Sequence, residues 1–86
     1  MMFKPGTRII YHAEGYDEDF SGVIITQKEA LNMHSCSSNA QRSTLRTNTF
    51  RVKIDTSRKH MYDAFIAHKE QLRLEPRIEG NELILG

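Results

Sequence analysis

Phe50-Arg51-Val52-Lys53-Ile54-Asp55 alternates without a fault, with apolar residues at 50, 52 and 54 and charged residues at 51, 53 and 55. Successive side chains of an extended chain point to opposite faces. A period of two therefore predicts a strand with one face in a core and the other in water. A helix would scatter the same apolar residues around its axis. Asp55-Thr56-Ser57 follows with turn-forming residues that end the strand.

Upstream, Pro5-Gly6 is a turn signal, and Thr7-Arg8-Ile9-Ile10-Tyr11-His12 is rich in β-branched and aromatic residues, as strands are. Glu14-Gly15 closes that strand. Tyr16-Asp17-Glu18-Asp19-Phe20 reads as an acidic loop carrying two aromatics. Ser21-Gly22 reads as further punctuation, and Val23-Ile24-Ile25-Thr26 as a second strand, buried on both faces near its centre. Residues 28–48 form a long loop in this reading. Lys28–Met33 fits a helical turn, while Ser35–Thr44 is polar, has no period, and reads as a mobile loop or hairpin tip.

Downstream, residues 58–74 admit two readings. Met61, Phe65, His68 and Leu72 fall at helical spacing, and Ser57 would cap such a helix. The same residues also read as a strand through Met61–Ile66, a tight turn at His68-Lys69-Glu70 and a short strand Gln71–Leu74. Pro76 ends either form. Gly80-Asn81 is a hairpin-type turn before a last strand at Glu82–Leu85.

The order Pro5-Gly6-Thr7-Arg8-Ile9-Ile10-Tyr11, Ser21-Gly22-Val23-Ile24, Val52-Lys53-Ile54-Asp55, then Phe65-Ile66 and Leu72-Arg73-Leu74, resembles the small SH3-like barrels, the group that includes Tudor-like and KOW-like domains. The resemblance covers about residues 4–75. It implies a mainly β fold: a barrel of about five strands with a long 28–48 loop, a short helical turn near 67–71 and an extra C-terminal strand. It favours strand, turn and strand over 58–74. It also implies a core of Ile9, Val23, Ile25, Val52, Ile54, Ile66 and Leu72. Residues 76–86 are an added extension of a single domain spanning 1–86. The superfold hosts many functions, so function must be argued from the site.

With 86 residues, 38% apolar and 27% charged, the chain has the makeup of one globular domain. No apolar run approaches the ~20 residues of a membrane span. No signal-peptide h-region is visible, and the single Cys36 excludes an intrachain disulfide. The expectation is a soluble, cytoplasmic protein that does not bind membranes. Leu83-Ile84-Leu85 is an apolar triplet that should pair with the barrel edge or, across residues 82–85, with a second copy in a homodimer.

Catalytic and metal constellations are thin. His34-Ser35-Cys36 offers two ligand types, short of the three or four that zinc requires, and no metal or other cofactor is expected. Cys36 and His34 lie in a polar stretch that does not hold a nucleophile and base rigidly. Asp17, Glu18 and Asp19 are consecutive and cannot all face one point. The glycines are isolated, so there is no phosphate-cradling loop. A methyl-lysine or methyl-arginine cage would have to come from Tyr11, Tyr16, Phe20, Phe50 and Tyr62, without the tryptophan that serves best. The expectation is a binding module and not an enzyme.

Charge is the strongest asymmetry. The overall charge is +1, yet residues 35–59 carry Arg42, Arg46, Arg51, Lys53, Arg58 and Lys59 against Asp55 alone. The flanking thirds are each net −2. Arg51 and Lys53 sit two apart on the strand face expected to be wet, about 7 Å from one another. This set is the candidate nucleic-acid-binding face, for DNA or RNA. The alternative is a protein partner in a larger assembly, met by Tyr16, Asp17, Glu18, Asp19, Phe20 and Tyr62 together with the C-terminal strand.

Overall fold

The alternation at 50–55 carries through to three dimensions. A computed structural model describes residues 3–79 and 82–84. The chain runs β1 (Arg8–His12), β2 (Asp19–Ile24), α1 (Gln27–Leu31), β3 (Thr49–Ile54), β4 (Ala64–His68), β5 (Leu72–Leu74), β6 (Arg77–Glu79) and β7 (Glu82–Ile84). Single 3-10 turns occupy Ser38–Gln41 and Lys69–Gln71. The first five strands form one antiparallel sheet in the order β4-β3-β2-β1-β5, curled into a half-barrel. This mainly β architecture is compatible with an SH3-like barrel.

The inner face of the sheet holds the main core. Ile9 of β1, Phe20 and Ile24 of β2, Val52 and Ile54 of β3, Ala67 of β4 and Leu72 of β5 are buried together with Phe3 and Ala13. Ile9 and Val52 are the largest side chains fully withdrawn from water. Each such residue contributes about 1.5–3 kcal/mol of transfer free energy. Phe50 closes one end, half-buried, with its ring edge-on to Phe3 at 5.2 Å.

Two expectations at the start of β2 are corrected. Asp19 and Phe20 are strand residues, because β2 pairs with β1 as His12↔Asp19 and Tyr11↔Phe20. That register turns Phe20 inward, where it is only 4% exposed, so it is not a loop aromatic. Ser21-Gly22 does not interrupt the strand either. Gly22 lies opposite Ile54, and a Cβ there would come within 2.5 Å of the Lys53 carbonyl oxygen. Glycine at this position lets β2 and β3 approach.

Residues 58–74 resolve to strand, turn and strand, with β4 starting at Ala64 and not at Met61. The β4 backbone pairs with β3 from Thr49↔His68 to Lys53↔Ala64. The turn after it is held by the Gln71 side chain, whose Oε1 accepts from the His68 N–H at 2.9 Å.

The outer face is less exposed than the alternation implies, and the reading of 35–44 as a mobile tip is corrected. Thr26 caps α1 through its hydroxyl, which accepts from the Glu29 N–H, while the Glu29 carboxylate accepts from the Thr26 N–H. The chain then lies along the β4 edge: Ala64 N–H donates to the Ser35 carbonyl at 3.1 Å, and Ser37 N–H donates to the Ala64 carbonyl at 3.0 Å. Ala30, Ala40 and Ala64 are fully buried beneath this layer. A second cluster of Ile25, Ala30 and Ala64, with Val23, Met33 and Cys36 against it, forms on this side. Val23 and Ile66, expected in the core, are half-buried outer-face residues.

The C-terminal strand exists, but its neighbour differs from the one expected. β7 pairs with β6 as a separate two-stranded sheet (Arg77↔Ile84, Ile78↔Leu83, Glu79↔Glu82) and is not added to the barrel edge. The Gly80-Asn81 turn and Leu85 lie outside the described residues. Among the described residues no helix is long and apolar enough to cross a membrane.

Candidate functional site

The described arginine side chains differ sharply in their partners. Arg8 grips both carboxylate oxygens of Asp55 and donates from Nε to Glu75 at 2.8 Å. These bonds hold the guanidinium protonated more firmly than usual and, from the other side, hold the Asp55 carboxyl below its ordinary range. Asp19 takes His12 Nδ1 at 2.7 Å and Arg73 Nη2 at 2.6 Å, and these partners, His12 foremost, lower its carboxyl as well. Arg58 donates to Glu18 at 2.8 Å and lies over the Phe20 ring at 5.3 Å.

Arg51 behaves differently, and the expectation that it faces water is corrected. Its Nε donates to the Ala40 carbonyl at 2.8 Å and its Nη2 to the Arg42 carbonyl at 2.6 Å. The segment from Ser38 to Arg42 folds over the outer face of β3 and takes the guanidinium as its anchor. Carbonyl oxygens satisfy the donors without cancelling the charge, so Arg51 keeps its unit of positive charge there. The nearby Cys36 thiol senses it: burial pushes the thiol's pKa up, and Arg51 pulls it back.

Arg42 and Arg46 remain. Neither side chain has a partner among the described residues, and both line one cleft of about 430 Å³. Thr49, Ile66 and His68 contribute from the β3–β4 pair, and Asn39, Arg42, Thr44, Leu45 and Arg46 contribute from the covering segment. Thr49 and His68 are register partners, as are Arg51 and Ile66, so the cleft sits directly beside the Arg51 anchor. Among the described residues no carboxylate lines it.

The other expected site residues are dispersed. Lys53 is exposed at the penultimate position of β3, toward the end away from the cleft. Arg58 and Lys59 follow the far end of that strand, about 17 Å from Thr49 at 3.4 Å per residue. Arg58 joins the expected basic set to the expected acidic set through Glu18. Of the acidic loop, Asp17 is exposed, Glu18 and Asp19 are ion-paired, and Phe20 is buried. Tyr16 and Tyr62 are exposed, at 46% and 56%. The cleft also contains residues that sequence reasoning did not assign to a site: Asn39, Thr44, Leu45, Thr49, Ile66 and His68. The 50–55 alternation extended back by one residue puts Thr49 on the Arg51 face; the other five join only through pairing and loop packing.

The chain matches no family model, no curated protein and no solved structure.

Proposed function

We propose that the protein is a non-enzymatic module that binds nucleic acid through the cleft between the Ser38–Arg46 segment and β4. The observation that carries this reading is the sorting of the arginines. Arg8, Arg58 and Arg73 are spent on carboxylates and Arg51 on carbonyls, whereas Arg42 and Arg46 share a concave site without a carboxylate among the described residues. Guanidinium groups suit phosphate oxygens because their N–H donors form a planar fork. Lys53 extends the positive surface along β3. The carboxyls with displaced pKa values are displaced downward, Asp19 by hydrogen bonds from His12 and Arg73 and Asp55 by its hydrogen bonds from Arg8, which suits fixed structural charges better than proton donors.

The test is fluorescence anisotropy with labelled DNA and RNA at about 50 mM salt, where electrostatic attraction is least screened. Binding by the native chain and its loss in Arg42→Gln/Arg46→Gln, with Asp17→Asn unaffected, supports the reading. No binding of either nucleic acid ends it. A protein partner then takes precedence, a reading favoured by the exposed Tyr16 and Tyr62 rings.

A further inference from the structure

We propose that the cleft takes one unpaired nucleotide of a single strand, its base hydrogen-bonded to the backbone N–H and C=O of Ile66. The inference rests on the nucleic-acid reading above and specifies which form is bound.

Ala64 points its N–H and C=O away from β3, since both are bonded to the Ser35–Ser37 segment. Pairing between β3 and β4 is continuous from Lys53↔Ala64 to Thr49↔His68. Backbone groups alternate in direction along an antiparallel strand, so those of Ile66 and His68 also point outward. The Ser35–Ser37 segment runs parallel to β4 only at Ala64, then turns away at Ser38. The His68 N–H is taken by the Gln71 side chain. The N–H and C=O of Ile66 have no partner among the described residues, and Ile66 lines the cleft together with both arginines and His68.

A donor and an acceptor on one extended residue lie side by side, and so do those on the Watson–Crick edge of every base. In a duplex that edge is already paired, so only an unpaired base can use it. Arg42 and Arg46 line the same cleft, and their guanidinium groups suit the phosphates that flank such a base. An added peptide strand fits less well, because strand addition draws on several alternate residues of an edge. Here the donor at Ala64 is covered and that at His68 is occupied. All four bases offer a donor beside an acceptor, so the site discriminates paired from unpaired bases more than one base from another.

The experiment uses the full chain with oligouridine and oligothymidine of about 12 nucleotides, the size range of single-strand sites. A duplex and an abasic deoxyribose-phosphate strand of equal length serve as comparisons. The expected result is single-strand binding about tenfold tighter than either comparison, in line with one base contact. Ile66→Pro removes the outward N–H at a place where strands tolerate proline, and Ile66→Val controls for the accompanying change of side chain. The proline variant should keep the native melting temperature and reduce single-strand affinity to the abasic level, while Ile66→Val should change neither. If the proline variant does not fold, the abasic comparison decides alone. Equal affinity for single, abasic and duplex strands overturns the inference but leaves the nucleic-acid module standing. Absence of all binding overturns both. Binding of polyglutamate in place of single strands, lost in the proline variant, assigns the edge to a peptide and overturns the inference.

Discussion

Arg51 and Ala40 are joined by a 2.8 Å hydrogen bond from the guanidinium Nε to the carbonyl, and this bond ties the outer face of the sheet to the segment that carries the cleft. A second bond, from Nη2 to the Arg42 carbonyl, fixes the first residue of the arginine pair. Arg51 therefore positions Arg42 while adding charge beside it, and these two roles separate under mutation.

Replacing Arg51 should cost stability, unlike replacing an ordinary surface arginine. Arg51→Met leaves the Ala40 and Arg42 carbonyls without donors where Ala40 is fully buried, a loss of about 2 kcal/mol. Arg51→Lys keeps the charge but cannot reproduce both arms of the fork, so it should fall between native and Met. Urea midpoints at neutral pH check the order. Equal midpoints for all three proteins would show that the guanidinium is no anchor.

Arg42 and Arg46 should show the opposite profile. Arg42→Gln and Arg46→Gln break no hydrogen bond made by their own side chains, so thermal midpoints should stay within the ordinary scatter of surface changes, about 0.5 kcal/mol. Each should lower the slope of log K against log salt for a single strand by about 0.7, the yield of one lost phosphate contact. An unchanged slope would place the phosphates elsewhere.

Gly22→Ala tests the contact of β2 with β3. The added Cβ meets the Lys53 carbonyl oxygen at 2.5 Å, and that oxygen belongs to backbone and cannot swing aside. The strands must separate between Ile24 and Ile54, at a cost of about 1–3 kcal/mol. Calorimetry showing an unchanged melting temperature would contradict this geometry.

Acid should weaken the fold only below about pH 4. The Asp55 carboxyl is lowered by its hydrogen bonds from Arg8, and the Asp19 carboxyl by hydrogen bonds from His12 and Arg73. A carboxyl whose folded pKa lies below its unfolded value of about 3.9 lends stability above that value and loses it as pH falls through the folded pKa. Arg8 and Asp55 are each more than two-fifths exposed, so their pair is worth less than about 1 kcal/mol. Arg8→Met should be less stable than the native chain at pH 7, with the gap closing near pH 2. A constant gap across that range would mean that Arg8 acts through packing.

The period of two at 50–55 and the β-branched runs at 7–12 and 23–26 are enough to establish a mainly β fold, because side-chain alternation is a local property of extended chain. The same locality makes Phe50, Val52 and Ile54 legible as the inner face. The concentration of Arg42, Arg46 and Arg51 is likewise a property of the sequence, since it needs only their nearness along the chain. What local pattern does not supply is the company each residue keeps. Phe20 goes inward because β1 sets its register, Gly22 is required by a carbonyl on another strand, and the polar 35–44 stretch is held by Ala64 and Arg51. The candidate site depends on the same long-range facts. Arginines 8, 42, 46, 51, 58 and 73 look alike in sequence. Only the fold assigns four of them to carboxylates or carbonyls and leaves two beside an uncovered strand edge, because partner choice for a long charged side chain is made across the chain and not along it.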